Sequence, residues 1–170
     1  MKVGISITSA YPTGSGREGA TSMVARARAA AEAGLDSLFV GDHHVVPTSY
    51  YQNTPMLGRL LAEWDHRHAG ALFLLPLWNP VLLAEQVATL ACITRGPFIL
   101  QCALGANDYQ FKAMGANIKV RPSAFEQSLR VLRALWKGET VSLNGIWKFE
   151  NAKISPLPPE KIEVWIGASA

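Results

Sequence analysis

Asp42-His43-His44 is the densest run of proton-handling side chains in the sequence, and it closes a short apolar run, residues 35–41, that reads as a strand. The carboxyl ends of parallel strands are where α/β proteins gather ligands and catalytic groups. An imidazole there can donate, accept or carry a proton near neutral pH, and Asp42 is placed to fix its tautomer. On residue types alone, catalysis and a structural hydrogen-bonding role are both open. His66 and His68 extend the set of metal-ligand types. They precede the next parallel strand, whereas His43 and His44 follow one, so five or six residues at about 3.3 Å each keep the two groups apart. No shared metal is expected, and His66 and His68 read as solvated or helix-terminal. Gly14-Ser15-Gly16-Arg17-Glu18-Gly19 satisfies G-x-G-x-x-G, with Asp42 as a conceivable ribose-binding acid. A dinucleotide turn follows its strand directly, with its acid about 20 residues on. Here residues 9–13 intervene and Asp42 lies too far along, so a flexible surface loop is the expectation and dinucleotide binding its competitor. Cys92 and Cys102 sit in no C-x-x-C and read as buried thiols. No G-x-S-x-G elbow supports a serine nucleophile.

The elements that must position these residues alternate strand and helix. Residues 3–8, 35–41, 69–75, 98–104 and 164–167 read as strands. Residues 20–33 read as an Ala-rich helix stopped at Gly34, and Thr54-Pro55 and Asn79-Pro80 as N-caps followed by proline at the first helical position. Ser123-Ala124-Phe125-Glu126 reads as a capping box opening a helix whose Phe125, Leu129, Leu132 and Trp136 share one face. Two β-prone runs around Asn144-Gly145 predict a tight hairpin inserted before the fifth strand. That strand has no helix after it, so the terminus reads as an interruption. With 170 residues, 49% hydrophobic and 17% charged, the chain fits one domain, residues 1–170. Its net charge of +3 is scattered and argues against nucleic acid as partner. The longest apolar run falls far short of the roughly 20 residues a spanning helix needs, and the N-terminus lacks a secretory pattern. Neither membrane nor export is expected, and cytoplasm is the default.

In order, Asp36-Ser37-Leu38-Phe39-Val40-Gly41-Asp42-His43-His44, then residues 74–86 with Trp78-Asn79-Pro80, then Gly96-Pro97-Phe98-Ile99-Leu100, then residues 109–115, 130–136 and 164–167, resemble segments of the bacterial luciferase-like flavin-dependent monooxygenases. The resemblance runs through nearly the whole chain. It implies an incomplete TIM (β/α)8 barrel with the first five strands present and the hairpin as an excursion before strand five. It further implies a flavin-dependent oxidoreductase that uses reduced FMN and oxygen on a small organic substrate. An F420-dependent hydride-transfer enzyme and a non-catalytic flavin-binding protein are the alternatives. By position, His43 matches the family's catalytic histidine. Ala71-Leu72 falls where the family has a non-proline cis peptide beneath the ring, Ala103 and Leu104 where it lines the flavin face, and Ala168 and Ser169 where it approaches the phosphate. A flavin reductase and a second copy or complementing chain are the partners this implies.

Overall fold

The computed structural model describes residues 1–11, 14–65 and 67–167, so His66, Ala168 and Ser169 lie outside the described residues. In chain order the elements are β1 (Gly4–Ile7), α1 (Gly16–Glu32), β2 (Ser37–Val40), α2 (Asn53–Leu60), β3 (His68–Leu74), α3 (Pro80–Ile93), β4 (Phe98–Ala103), α4 (Asp108–Ala113), α5 (Arg121–Trp136), β5 (Val141–Asn144), β6 (Lys148–Ala152) and β7 (Glu163–Ile166). Five strands form one parallel sheet in the order β1-β2-β3-β4-β7, and β5 and β6 form a separate antiparallel hairpin. Each strand of the parallel sheet lies beside its predecessor in that sheet, as in a barrel wall. A doubly wound dinucleotide fold would reverse direction part-way along.

Side chains alternate across this wall. Ile7, Leu38, Val40, Ala69, Ala71, Phe73, Leu100 and Cys102 are buried in the core with Met23 and Ala27 of α1, Leu57 and Leu60 of α2, Leu83 and Val87 of α3, and Leu132 and Leu135 of α5. Burying each of the larger side chains contributes about 1.5–3 kcal/mol before entropy is counted. The other face carries Ser37, Phe39, His68, Gly70, Leu72, Ile99, Gln101 and Trp165, and it is concave. Phe39 on β2 and Trp165 on β7 lie three strand positions apart, roughly 14 Å in a flat sheet, yet their ring centroids are 5.5 Å apart. The sheet must curl for the rings to meet. Gly70 permits the inward packing, because a Cβ there would run into the Ile99 carbonyl and come within 3.0 Å of the Phe39 ring.

Several local expectations are corrected. The G-x-G-x-x-G segment is not a loose loop. Ser15 is the N-cap of α1, accepting from the Glu18 amide at 3.3 Å while the Glu18 carboxylate accepts from the Ser15 amide at 2.6 Å. Gly19 lets α1 close on the stacked rings of Tyr11 and Tyr51, which its Cβ would strike, and the Tyr51 hydroxyl donates to the Gly16 carbonyl. Gly19 thus serves helix packing, and Gly14, at φ +83°, turns the chain into the cap. At α2, Asn53 opens the helix and Pro55 is its third residue, so Thr54 is not the cap. Ser123 lies within α5 and does not cap it. A 3-10 turn, Ile118–Val120, leads straight into the helix, and Asn117 caps that turn by accepting from the Lys119 amide. The hairpin pairs Asn144 with Lys148 and turns through three residues rather than two. Cys102 is buried as expected, but Cys92 is exposed, because it lies on the outer side of α3.

Two expectations tied to the resemblance also change. The Ala71–Leu72 peptide is trans, and among the described residues the one cis bond is Ser155–Pro156. Ala71 pairs with Val40 and Leu100, and Leu72 with Gln101, in unbroken register. That ladder needs extended trans backbone, and a non-proline cis bond would add about 3 kcal/mol. Ala71 is fully buried on the helix-facing side, so its side chain cannot line a cofactor in the concavity. Among the described residues no helix is long and apolar enough to cross a membrane.

Candidate functional site

β2 ends at Val40 while β3 runs on for three residues beyond their last pair, Val40–Ala71. The polar backbone groups of β3 left over on that side need partners. Asn53, fully buried, donates from Nδ2 to the Leu72 carbonyl at 2.7 Å. Asp42, also buried, accepts from the Leu74 amide at 2.8 Å with Oδ2, and the same oxygen accepts from Trp78 Nε1 at 2.8 Å. These two side chains continue the sheet where the strand stops, and they fix the path of the chain as it leaves β2.

The consecutive histidines separate on this support. His44 is buried, with Nε2 3.1 Å from Asp42 Oδ1 and its ring edge-on to Trp78 at 5.4 Å. The contact is at ion-pair distance but out of hydrogen-bond alignment, and both atoms lack a hydrogen-bond partner. His43 is exposed at the mouth of the concavity, edge-on to Tyr50 at 5.2 Å, with its carbonyl held by Gln52 Nε2 at 3.2 Å. Asp42 therefore partners His44 and not the accessible imidazole. Tyr50 stands against Gly41, whose Cβ would lie 2.7 Å from the phenolic oxygen. Burial chiefly, and the Asp42 charge in addition, push the Tyr50 hydroxyl above its usual value, against a lowering contribution from the Ser9 hydroxyl. It is thus a neutral donor at physiological pH. Val45, next along, has φ +51°, a left-handed conformation that is unfavourable for a β-branched residue.

Across β3, the ends of β4 and β7 and the start of α5 enclose a cleft of about 580 Å³ whose walls include Leu74, Ala103, Leu104, Phe125, Ile166 and Arg121. Ala103 and Leu104 are thus brought to the same end of the sheet as His43, with Leu104 partly exposed. Leu72 faces the concavity from β3. His68 opens β3 at the opposite end, as the spacing predicts. Tyr50, Asn53 and Arg121 were not singled out by sequence reasoning. Asn53 beside Thr54-Pro55 and Arg121 before Pro122 carried a helix-start signal, but nothing in the sequence separated Tyr50 from Tyr51. A groove of about 650 Å³ lies between α1 and α2 on the outer side, but its two arginines, Arg28 and Arg59, are both spent on Glu63. It lies away from the strand ends.

A model of the luciferase-like monooxygenase family matches residues 1–170. The chain belongs to that family. Members named among its relatives include both flavin-dependent monooxygenases and F420-dependent enzymes. The chain is 28% identical over 150 residues to the F420-dependent glucose-6-phosphate dehydrogenase of Beutenbergia cavernae, covering 82% of this chain and 44% of that protein. It is 22% identical over 152 residues to the oxygenase component of the flavin-dependent trigonelline monooxygenase of Acinetobacter baylyi, covering 86% and 42%. The oxygenating constituent of 3,6-diketocamphane monooxygenase from Pseudomonas putida, solved with FMN, superposes with a TM-score of 0.85 at 21% identity, covering 98% and 51%. The chain therefore spans about half the length of the relatives it matches, and its curled sheet is part of a luciferase-like barrel.

Proposed function

We propose that this chain contributes the catalytic mouth of a flavin-dependent oxidoreductase, with the cofactor ring lying over the concave face beside His43. The observation that carries this reading is the contrast between the two histidines: His44 is buried against Asp42 and Trp78, while His43 stands exposed at the carboxyl end of β2. The fit to a flavin rests on the concavity itself, whose apolar residues Leu72, Ala103 and Leu104 suit a planar ring and exclude water from its face. Bound there, reduced FMN would supply the electrons for oxygen transfer to a small organic substrate, and F420 would instead exchange a hydride with it. His43 would hold or deliver a proton at its imidazole, and the edge-on ring of Tyr50 would hold that imidazole in place. Ala168 and Ser169 remain candidates for the phosphate end. A reductase supplying FMN, a further chain or copy completing the barrel, and a cytoplasmic setting go with this proposal.

The F420 reading is favoured by one observation, the F420-dependent dehydrogenase named among the relatives. Separate titrations with FMN and F420 test both. The monooxygenase reading expects saturable FMN binding and oxygen-dependent reoxidation of bound reduced FMN that slows about 10²-fold in His43→Gln. Exclusive binding of F420 would transfer the assignment to the dehydrogenase type, and binding of neither would overturn both.

A further inference from the structure

His43 belongs to an irregular excursion, residues 41–52, that leaves the sheet at β2 and returns at α2. Both feet of the excursion are pinned. At the first, Asp42 is bonded to the Leu74 amide and the Trp78 indole, and His44 is buried. At the second, the amides of Tyr11 and Tyr51 donate to the carbonyls of Ser49 and Ser9 around an antiparallel Ala10–Tyr50 bridge, and Asn53 holds the Leu72 carbonyl. Residues 45 and 47–49, at the tip, are exposed. Gln52 ties one foot to the other, because its Nε2 donates to the His43 carbonyl at 3.2 Å. That is the one bond its side chain makes among the described residues. Gln52 also occupies the N-cap of α2, where a polar side chain ordinarily accepts from the first amides of the helix, yet it makes no such bond. Helix capping therefore does not account for where this amide is spent. The bond falls on the backbone and leaves the imidazole free. A carbonyl held in place fixes the peptide plane that follows His43, and with it the direction in which the ring meets Tyr50, edge-on at 5.2 Å.

We infer that Gln52 is a positioning residue for His43, acting through the backbone to hold the imidazole at the concave mouth. Its effect on turnover rests on the flavin reading above, whereas its effect on His43 itself does not. Gln52→Met keeps the length of the side chain and loses the donor, and Gln52→Lys keeps a donor at similar reach. In the ligand-free chain, NMR cross-relaxation between the His43 imidazole and the Tyr50 ring reports the placement directly. Gln52→Met is expected to weaken that cross-peak at least twofold, with the urea midpoint unchanged, and Gln52→Lys to restore part of it. In the chain loaded with reduced FMN, or with F420 if that is what binds, Gln52→Met should slow oxidation of the bound cofactor about fivefold, the scale of one neutral hydrogen bond, and leave cofactor affinity alone. A cross-peak absent from the wild type or unchanged in Gln52→Met overturns the inference, as does one lost together with a lowered urea midpoint, which marks a role in folding only. A weakened cross-peak beside an unchanged rate in the loaded chain also overturns it. Binding of neither cofactor removes the flavin reading, and the cross-peak in the ligand-free variants then decides the inference by itself.

Discussion

At the scale of single residues, the sequence placed two imidazoles at one strand end but could not say which was free. That depends on Asp42, whose Oδ2 is committed to the Leu74 amide and the Trp78 indole while Oδ1 lies beside His44, a long-range arrangement with no local signature. Asp42→Ala is expected to destabilise the fold by about 3 kcal/mol, since it strands two buried donors and removes the partner of His44. His43→Ala, at an exposed position, should stay within about 0.5 kcal/mol of wild type. Urea melts of both variants check the contrast, and a large loss in His43→Ala would mean that its role is structural. Val45→Gly should gain about 1 kcal/mol in the same assay, because the left-handed φ costs valine more than glycine's extra unfolded-state freedom. The thiols divide as well. Cys102 is pushed up to about 11 by burial, with Arg133 pulling weakly the other way, whereas Cys92 is exposed. Ellman's reagent at pH 8 should titrate one thiol in the native chain and two after denaturation.

At the scale of elements, strand and helix order was legible because periodicity and the Asn79-Pro80 signal are local. Asn79 does accept from the Val81 and Leu82 amides. The starts of α1 and α5 were not, because several polar residues could cap each helix and tertiary packing selects among them. Ser15-x-x-Glu18 and Ser123-x-x-Glu126 are the same pattern, yet only the first is a cap. Ser15→Ala should therefore lower stability by about 1 kcal/mol, with Ser123→Ala near neutral. The capping box also sets a pH signature. The Ser15 amide and hydroxyl hold the Glu18 carboxyl below its usual 4.5. Its contribution is present above that value and fades as pH falls through the lower folded-state value. Stability in Ser15→Ala should accordingly fall less steeply between pH 5 and acid than in wild type, measured by denaturant melts across that range.

At the scale of the whole molecule, the five-strand sheet follows barrel order and curls enough to bring Phe39 onto Trp165. The alternation made a parallel sheet readable but not its strand order, and the curl emerges only when the concave side chains are placed together. The family likeness carried the barrel expectation there, and it misplaced the backbone of Ala71 and Leu72. The central claim is that a flavin-type ring lies in this concave mouth beside His43. Two-dimensional NMR of the 18.4 kDa chain during cofactor titration tests it most directly. The account expects saturable shifts in the His43 imidazole and in the amides of Leu74, Ala103, Leu104 and Gly105, with Val24 and Met56 of the outer groove unmoved. Shifts confined to that outer groove, or no shifts with either FMN or F420, would contradict it.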